Sequence, residues 1–101
     1  MFIYNVTSKI NWSIHETWVE WMINEHIPAI METHCFTHFQ LLKLHEQDDS
    51  EGPTYIAQYF AESKARYNRY IELFAAKFGQ EAITKWGNNF MAFPSLLEVV
   101  K

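Results

Sequence analysis

The sequence predicts an α+β fold with element order β-α-β-β-α-β, and three observations carry that prediction. Four segments, 2–10, 35–45, 54–61 and 89–100, are rich in β-branched and aromatic residues. Two stretches between them repeat their apolar residues at helical spacing. An acidic, turn-rich run, 46–53, joins the second and third strand segments as a hairpin would.

Residues 2–10 set Phe2, Tyr4 and Val6 on one side and Ile3, Asn5 and Thr7 on the other, as a strand does. Ser13 followed by Glu16 has capping-box spacing, so a helix is expected to start near Ile14. It continues to about Thr33, with Ile14, Trp18, Trp21, Met22, Ala29 and Ile30 on one face. Glu25 and His26 fall on or beside that face. Pro28 lacks a backbone donor and is expected to kink the helix. Residues 35–45 form the second strand and 54–61 the third. Ser63 can cap a second helix whose stripe is Tyr67, Tyr70, Ile71, Phe74 and Phe78, with Gly79 as its expected terminator. Gln80–Trp86 adds a short helical turn stopped by Gly87. The last strand spans 89–100, and Pro94 places it at an edge or a bulge.

Two such halves give the ferredoxin-like plait, a four-stranded antiparallel sheet with both helices on one face. If the other face met water, each strand would alternate apolar with polar. The third strand sets Tyr55, Ala57 and Tyr59 against Ile56, Gln58 and Phe60. The fourth sets Phe90, Ala92 and Leu96 against Met91, Phe93 and Leu97. Neither strand offers a wet face, so a second copy of the chain is expected to cover the open face, giving a homodimer through sheet faces.

The chain has 101 residues, which suits a single domain over 1–101. Aromatic residues make up 17%, more bulky apolar surface than a small monomer usually hides. The net charge is −4 and basic residues do not cluster, which argues against nucleic acid and against an anionic membrane surface. No run of about eighteen apolar residues is present, so no membrane span is expected. Cys35 is the only cysteine, and the N-terminus has no signal-peptide pattern; a cytoplasmic address is the expectation.

The opening Met1-Phe2-Ile3-Tyr4-Asn5-Val6-Thr7, the helix text Trp18-Val19-Glu20-Trp21-Met22 with Glu25-His26-Ile27-Pro28, the run Gly52-Pro53-Thr54-Tyr55 with Gln58-Tyr59-Phe60-Ala61-Glu62-Ser63, and the ending Phe93-Pro94-Ser95-Leu96-Leu97-Glu98-Val99 resemble an uncharacterised bacterial family, the domain of unknown function numbered 4286. The resemblance covers nearly the whole chain. It implies a dimeric α+β barrel, a group that includes cofactor-free monooxygenases, haem-degrading enzymes and muconolactone-isomerase-like proteins. It brings no activity with it. Pro94-Ser95 stands where the family pattern has Arg-Thr. The haem-degrading relatives join an Asn of the first strand to a Trp and a His. Here Phe60-Ala61-Glu62-Ser63 lacks the Trp and the second helix has no His, so that site is incomplete.

Among the remaining residues, His26 with Glu25 could do acid–base work, set against a margin histidine beside a surface carboxylate. Asn5 is a pocket donor or a hydrogen-bonded core residue. Trp18, Trp21 and Met22, with Tyr59 and Phe93, line an apolar ligand cavity or form plain core. His26 is expected to line the largest helix–sheet cavity with Asn5, Glu25, Gln58 or Tyr59 in reach. Trp12, on the loop into the first helix, suits a pocket mouth or an interface anchor. His34, Cys35 and His38 match metal-ligand types but not spacing, because strand residues four apart lie about 13 Å apart. No metal and no cofactor are therefore expected. No phosphate loop or nucleophile elbow occurs. The functional expectation is binding, or cofactor-independent oxidation, of a small apolar metabolite; the alternative is a non-enzymatic homodimeric association or regulatory module.

Overall fold

A computed structural model describes all residues, 1–101. Strand β1 spans Phe2–Ile10, β2 His38–Lys43, β3 Thr54–Ala61 and β4 Phe90–Glu98. They form one antiparallel sheet of order β2-β3-β1-β4. The first helix is α1 (His15–Trp21), a π turn (Met22–His26) and α2 (Ile27–Met31). The second is α3 (Lys64–Tyr70), a π turn (Ile71–Ala75) and α4 (Ala76–Trp86). This is the ferredoxin-like plait expected from the sequence.

Pairing fixes the two faces. Tyr4 lies opposite Tyr59, Val6 opposite Ala57, and both lie opposite even-numbered residues of β4. That parity faces the helices: Tyr4 packs against Tyr67 and Tyr70 of α3, and Trp18 of α1 against Tyr55. A core of fifteen buried residues fills this layer, with Trp18 and Tyr59 each 1% exposed. The opposite parity, Ile3, Asn5 and Thr7 on β1 with Ile56, Gln58 and Phe60 on β3, forms the open face.

Several local expectations change. The first cap is Asn11, whose side chain accepts from the Ser13 N–H, and a 3-10 turn, Trp12–Ile14, precedes α1. Ser13 is therefore drawn into the first turn and no capping box forms. Gly79 does not end the second helix; it sits inside α4, because a helical glycine costs only about 1 kcal/mol against alanine. The stop is Gly87, whose φ of 56° favours glycine. The second strand is shorter than 35–45, since Cys35 and Phe36 turn inward and are buried before pairing begins at His38. Ser63 does cap the second helix, accepting from the Arg66 N–H at 3.2 Å.

Candidate functional site

Both helices widen where they cross the sheet. A π turn holds one residue more than an α turn and moves the following side chains around the axis. In the first helix, Pro28 lies at the start of α2, directly after the π turn. A proline is tolerated there because its missing N–H falls at a change of hydrogen-bond register. In the second helix, α3 packs on β1 and β3, while α4 buries Phe78, Ala82 and Trp86 and leaves Gly79 and Ile83 exposed.

The space left between helices and sheet is a cavity of about 450 Å³. Tyr4, Val6, Ser8, Ala57 and Tyr59 form its floor. Trp18, Trp21, Met22, His26 and Ile30 form one wall. Tyr70, Ala75, Phe78, Gly79, Ala82 and Ile83 form the other, and Gly87 with Phe90 to Pro94 the last side. No Asp, Glu, Lys or Arg lines it.

His26 is the last residue of the π turn. Its ring stacks on Trp21 at 4.3 Å and meets the edge of Phe78 at 5.9 Å. Burial among these rings pushes its pKa down to about 4, with no compensating carboxylate. His26 is thus neutral at pH 7. Burial also raises the pKa of Tyr4, Tyr59 and Tyr70, with neighbouring hydroxyls adding to the effect and no hydrogen bond opposing it. These phenols stay protonated. The Trp18 indole N–H is buried without an acceptor. The cavity is therefore apolar, uncharged, and edged by hydroxyl and imidazole groups that the protein itself leaves unpaired.

Trp18, Trp21, Met22, His26 and Tyr59 line this cavity, and Phe93 borders it from the edge strand although its register turns it to the open face; Asn5, Glu25 and Gln58 do not line it. Asn5 and Gln58 carry the opposite strand parity and point to the open face. There Gln40 Nε2 donates to Gln58 Oε1 at 2.6 Å, Gln58 Nε2 to Asn5 Oδ1 at 3.0 Å, and Asn5 Nδ2 to Ser95 Oγ at 3.3 Å. This polar row crosses all four strands. Glu25 is exposed on the outer side of the first helix, about 100° around the axis from its neighbour His26. Trp12 is 45% exposed and donates to the Asp49 carbonyl at 2.8 Å, away from the cavity. His34, Cys35 and His38 do not come together as a ligand cluster, and Cys35 is buried in the core. Sequence reasoning passed over Tyr4, Ser8, Tyr70, Phe78 and Gly79. The period-two pattern could have found the first two, because even-numbered β1 residues share Tyr59's face.

The family model for the domain of unknown function DUF4286 matches residues 1–100. The chain belongs to this family. No curated protein matches it in sequence. Among solved structures it is similar to a dimeric ferredoxin-like protein from an uncultured marine organism (TM-score 0.74, 15% identity, 99% of this chain and 95% of that one). It is also similar to an ethyl tert-butyl ether d (ethd) family protein from Bacillus halodurans (TM-score 0.70, 10% identity, 98% and 100% covered). A third likeness is to SnoaB, a cofactor-independent oxygenase from Streptomyces nogalater (TM-score 0.60, 15% identity, 99% and 94% covered). At these identities the likeness is one of fold. No helix of this DUF4286 chain is long and apolar enough to cross a membrane.

Proposed function

We propose that this DUF4286 protein binds a small, neutral, largely apolar molecule between its helices and sheet, as a homodimer joined through the open sheet faces. The observation that carries the reading is the 450 Å³ cavity with no charged residue in its wall. Its size lies within the range of ligand pockets. An ionised ligand would lose its hydration there with no counter-charge to replace it. A neutral molecule with a hydroxyl, ether or carbonyl can instead pair with the free phenols, Ser8 or His26.

The shared fold with a cofactor-independent oxygenase raises oxidation as an extension of this reading. The environment of His26 favours binding alone. A base whose pKa lies near 4 is poorly matched to taking a proton at pH 7. The dimer is supported by the dimeric neighbour and by the open face itself, where Leu42, Met91, Phe93 and Leu97 are each 39–58% exposed. If the cavity holds no ligand, the open face supports the second reading, an association module.

Melting-temperature screening tests the proposal, because any ligand of the native state must raise it. 2-Naphthol is expected to stabilise the protein, and 2-naphthoate, which carries a carboxylate on the same ring system, is not. His26→Ala is expected to weaken the 2-naphthol shift more than it lowers the unliganded melting point. Equal shifts with both compounds would remove the case for a neutral ligand. No shift with any neutral aromatic or aliphatic probe would leave association as the function.

A further inference from the structure

The cavity has one open side, and the exposure of its lining residues locates it. Every lining residue outside α4, the turn after it and β4 is buried or half-buried. The exposed ones whose register faces the helices are Gly79, Ile83 and Gly87 on the helical side and Ala92 and Pro94 on the strand side. β4 is an edge strand, and Ala92 and Pro94, which carry its helix-facing parity, are exposed, so no helix covers that strip of the sheet beside the cavity.

Gly79 lies at the helical lip of this open side, in the interior of α4, with ordinary helical backbone and no positive φ. A glycine there weakens the helix relative to alanine, and neither turn geometry nor crowding requires it. A Cβ built at Gly79 meets nothing within 4 Å, so the position borders open space. Behind it lie unpaired polar groups, including the Tyr59 hydroxyl on a side chain only 1% exposed. A missing side chain at the mouth of such a chamber has a direct physical effect: it keeps the mouth wide.

We infer that the gap between α4 and β4 is the entrance to the cavity and that Gly79 sets the size of molecule that passes. The inference rests on the ligand-binding reading above. A flat ring system enters edge-on between the α4 backbone at Gly79 and Ala92 of β4, whereas a side chain at position 79 narrows the slot.

The test uses N-phenyl-1-naphthylamine, a neutral fluorescent probe, mixed rapidly with the protein and followed by energy transfer from tryptophan. Gly79→Leu is expected to melt at or above the parent, because the helix gains a better former, while the association rate falls at least tenfold. Gly79→Ala is expected to melt higher and to bind within about threefold of the parent rate. Ala92→Trp narrows the slot from the opposite lip and is expected to slow association similarly, which keeps the test valid if one variant folds poorly. A parent that takes up the probe, with both Gly79→Leu and Ala92→Trp binding it within twofold of the parent rate, overturns the entrance and leaves the binding reading intact. A parent that does not take up the probe overturns both.

Discussion

Trp18 and His26 stand in the same wall and are constrained in different ways. Trp18 is 1% exposed and packs on Tyr55. Truncating it removes most of an aromatic side chain from a close-packed layer, so Trp18→Ala is expected to cost about 3–5 kcal/mol. Trp18→Phe should cost clearly less, since it keeps a ring and removes an indole N–H that has no acceptor. Urea titration of both variants checks the order; equal losses would mean that the indole N–H is satisfied. His26 gives a pH signature. Its folded pKa, about 4, lies below the ordinary value of 6.5, so the unfolded chain binds more protons between these values. Its contribution is therefore intact above pH 6.5, declines as pH falls through the window, and levels off below pH 4. The full loss is about 3 kcal/mol. The stability difference between the parent and His26→Leu, measured in urea at pH 7, 5.5 and 4, should move against the parent by roughly that amount. A difference that stays constant would mean that His26 is solvated.

At the scale of elements, caps and helical periodicity account for most of what was legible in the sequence, and for where legibility ended. Ser63 was readable as a cap, and Ser63→Ala is expected to cost about 1 kcal/mol. Ser13 was not the first cap. Asn11 accepts from the Ser13 N–H at 2.9 Å, so Asn11→Ala should cost about 1 kcal/mol while Ser13→Ala stays near zero. Thermal melts that reversed this order would restore the capping box. Both helical stripes drift from a strict 3.6 period for one reason. Each helix contains a π turn, and its extra residue rotates the later side chains about the helix axis. In the first helix Ile27 is 1% exposed, whereas Ala29, expected on the buried face, points outward. In the second, Ile71 is 39% exposed and Phe78 is buried. A π turn leaves no composition signal beyond Pro28, and the second helix lacks even that. The strands were easier, because a period of two tolerates no drift. Gln58 and Tyr59 are consecutive on the interior strand β3, so their side chains face opposite sides of the sheet, and the pairing register turns Tyr59 to the cavity.

For the whole molecule, the two faces of one sheet divide the work. The helix face holds the cavity. The open face holds the row Gln40–Gln58–Asn5–Ser95, flanked by Leu42, Ile56, Thr7 and Phe93 on one side and by His38, Phe60, Ile3 and Leu97 on the other. The dry character of β3 and β4 was legible as alternation that fails; the polar row was not, because its four members come from strands far apart in sequence. Amides and hydroxyls both donate and accept, so a row of them can face its own copy across a two-fold axis, which a row of one charge sign cannot. Thr7 lies on the central strand of that face, opposite Ile56 and Phe93, and does not line the cavity. In an isolated chain, Thr7→Arg extends from the exposed sheet surface and leaves folding unaffected. In a face-to-face dimer it buries two like charges near the symmetry axis, at a cost that exceeds what a small interface gains. Thr7→Arg is therefore expected to sediment at micromolar concentration as a single species of 12.0 kDa, with the parent at twice that mass. Leu73→Arg, on the outer surface of the second helix where Leu73 is 59% exposed, is expected to remain dimeric. A monomeric parent would refute the dimer, and the reverse pattern, with Leu73→Arg dissociating and Thr7→Arg intact, would move the interface to the helices.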